Sequence, residues 1–490
     1  MERLYNRCAG LDVHKKSISA CIRLSQGQQT KKETATFGTF TADLERLRDW
    51  LRENRVSHVA MESTGVFWIP VWNVLEQGEA KFELTLINPQ HVHALPGQKT
   101  DRKDGQRIAE LLQYGLLKAS FIPPPAVREL RDLTRRRTHL QGERNRVINR
   151  IRRLLETANI KLGSVVSDIT GKTARLILAE ITRGHCQPEE LAKLAQASLK
   201  NKRAELIGSL KGFYNDHFRW LLTEAVQELS YLDGKLPPLD HQLGKRLQPH
   251  ADLIRRLCTI PGVNFTTAAI IVAEIGFDMS RFANANHLAS WAGVCPGNNE
   301  SAGKRFSGST RKGNRYLRRV LTQSAWSITH KKDCYLTSLF WRVASRGGRK
   351  KAAMAVAHRM LIIAWHIIDD GAVYRELGGN HHDRLNPDRI ARRLIRRLEQ
   401  IGLEVNVQAK VAEAAPMQES VTSASNPAGR IIRRARPTTT KLPSPNKNAE
   451  AKSKEPVLCR KCARWGIPCI HARNAKLSSP ALAPSTESAT

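Results

Sequence analysis

The chain has no uninterrupted run approaching the roughly 20 apolar residues that a helix needs to cross a bilayer, and no signal-peptide pattern opens it. Both absences point away from the membrane and the secretory route. Cysteine is scarce, with nine in 490 residues, thinly scattered except for one group near the end. An odd count without a secretory signal argues against a disulfide framework and for a reducing cytoplasm. Acid is also in short supply: 45 Asp and Glu stand against 79 Lys and Arg, a net charge of +34. Such a chain repels itself unless it meets a polyanion, so nucleic acid is the expected partner. An anionic membrane would attract the same charge. The longest apolar stretch, Ala353 to Ile368, however, carries His358, Arg359 and His366 and reads as a buried helix.

What is present divides into four stretches. Residues 6–125 alternate between strand and helix signals. Ala9–Val13 reads as a buried strand, Ile18–Leu24 as its hairpin partner and Thr34–Phe40 as a third strand. A helix with Leu44, Leu47 and Leu51 on one face follows. Next come a strand at His58–Glu62, a helix at Phe67–Leu75, a strand at Leu84–Asn88 and a helix at Asp104–Tyr114. The order βββαβαβα predicts a ribonuclease H-like α/β domain. Pro123-Pro124-Pro125 marks its end. Residues 126–250 predict a helical coiled-coil arm. Its first half carries Leu130, Leu133, Leu140, Val147, Ile151 and Leu154 at steps of three and four; its second half runs from Leu191 to Leu232. Residues 251–380 predict a compact, mainly helical domain. The last stretch, 405–490, is rich in Ala, Ser, Pro, Thr and Lys and predicts a mostly disordered basic tail.

Four acids stand out in a chain so short of acid. Asp12 and Glu62 end two predicted strands, and strand ends in an open sheet can be neighbours despite their separation in sequence. Asp101 and Asp104 lie three apart at a helix start, on one side. A lone Asp at a strand end is ordinarily a cap or turn residue. Several converging carboxylates are what phosphodiester chemistry on Mg2+ or Mn2+ requires.

The segments Gly10-Leu11-Asp12-Val13-His14-Lys15, Met61-Glu62-Ser63-Thr64-Gly65 and Lys99-Thr100-Asp101-Arg102-Lys103-Asp104 resemble the three signatures of the RuvC-like DEDD domain of insertion sequence 110 family transposases. Asn88-Pro89 also fits that pattern. The resemblance implies that Asp12, Glu62, Asp101 and Asp104 are the metal-binding acids.

Further on, Ile260-Pro261-Gly262-Val263 followed by Thr266-Thr267-Ala268 resembles a helix-hairpin-helix, whose turn presents amides to phosphate. Asn264 stands where that motif has a second glycine, and Asn tolerates a left-handed backbone. Gly293 to Arg315 is rich in glycine and cations: Lys304, Arg305, Arg311, Lys312 and Arg315 supply countercharge for phosphate. The same family resemblance implies that Ser301 is a nucleophile that forms a transient phosphoserine link, with Ser307 and Ser309 as alternatives. It also implies oligomers, dimeric or tetrameric, in which one subunit's acids complete another's serine domain, and a bridge RNA as guide. It extends over residues 6–380. Outside it, Cys459, Cys462, Cys469 and His471 form a candidate zinc site. Two other readings stay open on the residues alone: a metal-dependent nuclease of the Holliday-junction resolvase type, and a non-catalytic architectural nucleic-acid-binding protein.

Overall fold

Alternating small and branched residues build the first hairpin. In the computed structural model, which describes residues 3–27, 29–63, 65–78, 81–88, 104–297, 299–301 and 304–406, β1 (Arg7–Val13) pairs antiparallel with β2 (Ile18–Gln26), and β2 with β3 (Gln29–Phe37). Asp101 and the Cys459, Cys462, Cys469 and His471 group lie outside the described residues, as does the tail expected over 405–490 apart from its first two residues. β3 starts earlier than the expected Thr34–Phe40, because the β2–β3 register runs unbroken from Ile18↔Phe37 back to Gln26↔Gln29. Phe40 is left to precede helix α1 (Thr41–Glu53), which buries Leu44, Leu47 and Leu51.

Parallel pairing then takes over. β4 (His58–Glu62) lies beside β1, helix α2 (Trp68–Gln77) follows, and β5 (Glu83–Ile87) pairs with β4. The mixed sheet has the order β3-β2-β1-β4-β5. Side chains alternate across it. Ala9, Leu11 and Val13 of β1 and Val59 and Met61 of β4 share a core with α1 and α2. Cys8 and Ala60 face helix α3 (Asp104–Gln113) through Ile108 and Leu112. Each fully buried aliphatic side chain of this kind contributes roughly 1.5–3 kcal/mol. The chain divides into two compact units at Arg128–Glu129, and this α/β unit is the first.

The second unit is helical. The long helix α4 (Pro125–Thr157) begins in the proline run, where a missing N–H costs nothing. Four short helices follow: α5 (Leu162–Val165), α6 (Lys172–Thr182), α7 (Pro188–Lys193) and α8 (Arg203–Ser209). A second long helix, α9 (Asp216–Leu247), then returns. The continuous tract expected over Leu191–Leu232 is therefore broken, and its long helix starts only where Asn215 caps it by accepting from the Phe218 amide at 2.7 Å. α9 also runs through Pro237 and Pro238, because Leu236, Leu243 and Leu247 are buried. Their packing outweighs the roughly 3 kcal/mol that an interior proline costs.

α4 and α9 lie antiparallel, joined by Leu140, Val147, Ile151, Leu222, Leu229 and Leu236 in one core. Ion pairs confirm the direction: Arg150–Glu228 at 2.5 Å, Arg144–Asp233 at 2.5 Å and Arg137–Asp240 at 2.6 Å.

Five further helices form the rest of this unit's core: α10 (Ala251–Leu257), α11 (Phe265–Ile275), α12 (Ala285–Trp291), α13 (Arg315–Ser327) and α14 (Tyr335–Gly347). α10, α12, α13 and α14 pack on α15 (Arg349–Asp369), while α11 packs on α10 and α13. α15 is long and apolar enough to cross a membrane. Its Ala353, Val356, Ala357, Met360, Leu361 and Ala364 are nonetheless buried, and it packs on α12, α13 and α14 as a core helix does. Between α12 and α13 the chain forms a two-stranded hairpin, β6 (Asn299–Ser301) and β7 (Lys304–Ser307). Two last helices, α16 (His381–Arg384) and the arginine-rich α17 (Pro387–Gln400), bury no side chain.

Candidate active site

Period-two alternation decides which face of the sheet carries acid. Asp12 follows Cys8 and Gly10 on the α3 side of β1, and Glu62 follows Ala60 on the same side of β4. The parallel register ends at Leu11↔Met61, so both acids stand one residue beyond it, at adjacent C-terminal strand ends. The start of α3 is brought there by two glycines. A Cβ on Gly10 would lie 2.3 Å from the Ala109 nitrogen and the Gly105 carbonyl oxygen. A Cβ on Gly105 would lie 2.9 Å from the Ser19 carbonyl oxygen, and Ser19 is the register partner of Asp12. Asp104, the residue before Gly105, therefore opens α3 at the strand end that carries Asp12.

Asp12 is only 7 % exposed. Its Oδ2 lies 2.9 Å from Nε2 of His14, whose side chain is 61 % exposed. Glu62 and Asp104 are half-buried. Burial pushes the Cys8 thiol on this face up to about 12, against the opposing charge of Arg23, so it is neither thiolate nucleophile nor soft metal ligand near neutral pH. The donors here are oxygens, which suits a hard divalent cation. Among the described residues, no three His, Cys, Asp or Glu side chains close into a metal-sized group. Asp12, Glu62 and Asp104 share one face and one edge without forming a finished cluster.

The hairpin of the second unit is the other half of the candidate chemistry. Ser301 ends β6 and is the register partner of Lys304, with Glu300 opposite Arg305. Ser307 lies in β7 opposite Asn299. The base of the hairpin is clasped by main chain: the Gly297 amide donates to the Ser309 carbonyl at 3.0 Å. Gly293 (φ +71°) and Gly313 pack so closely that a Cβ on Gly313 would lie 2.4 Å from the Ala292 carbonyl. Arg318 adds bonds to the Arg311 carbonyl at 3.1 Å and Thr310 Oγ1 at 2.8 Å. Arg311 and Lys312 stay exposed. Arg315 opens α13 and lies 4.9 Å from the Tyr316 ring centroid.

Glu274, which the sequence reading passed over, holds this segment in place. It is fully buried, accepts Arg135 Nε and Nη2 at 2.9 Å each, and accepts Asn314 Nδ2 at 2.6 Å. Asn314 in turn caps α13 by accepting from the Tyr316 and Leu317 amides. Arg131 donates to the Ala273 and Glu274 carbonyls at the end of α11. Burial lowers the Arg131 guanidinium to about 10 while Glu274 opposes the shift. The signal was there: Glu274 is the one charged residue in the apolar helix Phe265–Ile275, and a buried acid needs a cation.

The helix-hairpin-helix-like turn differs from expectation at Asn264. Its φ is −105°, not left-handed, and its side chain caps α11 by accepting from the Thr267 amide at 2.9 Å. Gly262 supplies the positive φ of +81°, and a Cβ there would meet Ile328 at 2.6 Å and the Ser324 carbonyl at 2.8 Å. The glycine is thus required for packing against α13.

Comparison with known proteins bears on both halves. Residues 9–160 match a transposase family model, the IS110 DEDD domain, and residues 254–341 match that of the transposase IS116/IS110/IS902 family. The chain is 28 % identical over 300 residues to the insertion element IS900 42 kDa protein of Mycobacterium paratuberculosis, covering 56 % of this chain and 73 % of that one. It is 28 % identical over 302 residues to the insertion element IS110 43.6 kDa protein of Streptomyces coelicolor, covering 57 % and 73 %. With the pilin gene-inverting protein of Moraxella bovis it shares 22 % identity over 376 residues, 73 % of this chain and 94 % of the relative.

Proposed function

The chain belongs to the IS110 family of transposases, enzymes of DNA recombination, and on that premise we propose that Asp12, Glu62, Asp104 and Asp101 form one acidic centre acting with Ser301 on DNA phosphodiesters. The observation that carries the reading is the shared edge. Two acids end adjacent parallel strands on the face against which α3 brings Asp104. In this reading the α/β unit is ribonuclease H-like, which its strand order of two antiparallel pairings followed by two parallel ones supports.

The acids would hold Mg2+ or Mn2+, which when bound neutralises phosphate charge and lowers the pKa of a hydroxyl. Asp12, hydrogen-bonded to His14, keeps one carboxylate oxygen in fixed orientation. The Ser301 hydroxyl attacks phosphorus and loses its proton, the phosphodiester P–O bond breaks, and a DNA hydroxyl leaves. A hydroxyl of a second strand then attacks the phosphoserine, restoring serine and a new P–O bond. The hairpin supports this role because Lys304 and Arg305 stand across from Ser301 and Glu300 and offer countercharge to the phosphate. Gene inversion, the role named for the Moraxella relative, supports recombination rather than simple hydrolysis. A guide RNA and a homo-oligomer whose subunits share acids and serine remain part of the proposal. The net charge of +34 is compatible with the RNA.

The test is strand exchange with trapping of covalent protein–DNA adducts, comparing wild type with Ser301→Ala and Asp12→Ala. Both variants should lose recombination, and Ser301→Ala should leave no adduct. Normal recombination by Ser301→Ala would overturn the nucleophile assignment.

A further inference from the structure

A cleft of about 420 Å³ in the helical unit belongs neither to the acidic edge nor to the serine hairpin. Helix α4 forms one wall with Thr138, Gln141 and Asn145, spaced three and four apart and so on one face. Helix α13 forms the other wall from Tyr316 through Arg319 to Gln323, again on one face. The turn containing Gly262 and the first residues of α11 make the floor.

The chemistry of the lining is specific. Among the described residues no carboxylate lines the cleft, while four carboxamides do: Gln141, Asn145, Asn264 and Gln323. Gln141 Nε2 donates to Asn145 Oδ1 at 3.2 Å, which orders the two amides as a pair. Gln323 and Arg319 are exposed on the opposite wall. The guanidinium of the other lining arginine, Arg137, is committed to Asp240. Tyr316 is a rigid post at one end: its hydroxyl lies 2.8 Å from His139 Nε2, and its ring centroid lies 4.8 Å from Arg135 and 4.9 Å from Arg315.

We propose that this cleft holds one unstacked nucleotide of a single strand, its base edge met by the amides of Gln141 and Gln323 and its phosphate by Arg319. The inference rests on the nucleic-acid reading above and deepens it. A carboxamide presents a donor beside an acceptor, the pairing with which Asn and Gln read base edges. Arginine is the side chain whose planar fork fits phosphate. A groove for duplex backbone would be lined mainly by cations, whereas here amides outnumber the uncommitted cation. The volume falls in the roughly 300–1,000 Å³ range of sites that enclose a small ligand. It admits a nucleotide and not a double helix.

The experiment uses the full chain and an oligonucleotide carrying one 2-aminopurine, as DNA and as RNA, single-stranded and annealed. A base that leaves the stack changes its fluorescence. Wild type should give a saturable change with single strands. Gln141→Ala/Gln323→Ala, at a half-buried and an exposed helix position, should weaken single-strand binding roughly tenfold. Duplex binding should stay within about twofold, and the thermal melt should be unchanged. Arg319→Gln should lower the salt slope of single-strand binding by about one. Comparison of the DNA and RNA strands identifies which of the two fills the cleft. Equal loss for single strand and duplex would make the cleft a backbone contact and overturn the proposal, as would no loss at all. A wild-type protein that bound duplex but gave no 2-aminopurine signal would overturn the cleft alone. One that bound neither would overturn the nucleic-acid reading beneath it.

Discussion

The two units position their candidate residues by different physics. In the α/β unit the acidic edge is set by close packing: two glycines let α3 lie on the backbone of β1 and β2, and the sheet is sealed by aliphatic side chains. The helical unit is wired by charge. Arg131 and Arg135 meet Glu274, Arg137 meets Asp240, and Arg144 and Arg175 share Asp233. An edge held by packing fails when volume is added. A framework held by ion pairs spends its carboxylates on structure and fails when charge is removed.

The sharpest way to separate the two is to change one acid in each. Asp12→Ala should lower strand exchange by on the order of 10³-fold or more, while the melting transition stays near that of wild type; a loss explained by unfolding would refute the assignment. Glu274→Ala should do the reverse in kind. Removing one partner of a buried pair costs about 3–5 kcal/mol, so chemical denaturation should show a large fall in stability before any assay of activity.

Gly10→Ala probes packing directly. With its Cβ 2.3 Å from the α3 backbone, overpacking should cost about 1–3 kcal/mol and reduce activity by displacing Asp104. A variant as stable and active as wild type would show that α3 is free to shift.

The smallest effect concerns acid. Burial pushes the Asp233 carboxyl up, but hydrogen bonds and charge from Arg144 and Arg175 outweigh it and hold its pKa below the ordinary value. A depressed folded-state pKa stabilises above the unfolded carboxylate value, near 3.9, and that contribution is lost as pH falls through the lower folded value. Melting of the helical unit should therefore become more acid-sensitive below about pH 4, and Asp233→Asn should flatten that dependence. An unchanged profile in the variant would remove Asp233 from the account.

Much of the acidic edge was legible in the sequence because strand patterns are local. Ala9–Val13 and His58–Glu62 are short apolar runs that end in an acid, and the structure ends β1 one residue after Asp12 and β4 at Glu62. Asp104 was legible as a helix start. The helical unit was harder, because its boundaries depend on caps and distant partners. Asn215, Asn264 and Asn314 all accept from amides two or three residues on, a spacing visible in hindsight as an N-cap signal. Hairpin β6–β7 is short and polar, and no periodicity announces it. Glu274 acquires its meaning only when α4 brings Arg135 across 139 residues.

The clasp beneath that hairpin has a practical consequence. Its fasteners are main chain at Gly297, Ser309, Gly293 and Gly313, with Arg318 bridging from α13. All of these fastenings lie outside residues 299–307. The hairpin can thus be treated as an interchangeable cartridge: residues 299–307 from a relative could be spliced in as a block, the seat remaining the same, without redesigning the helices that hold it.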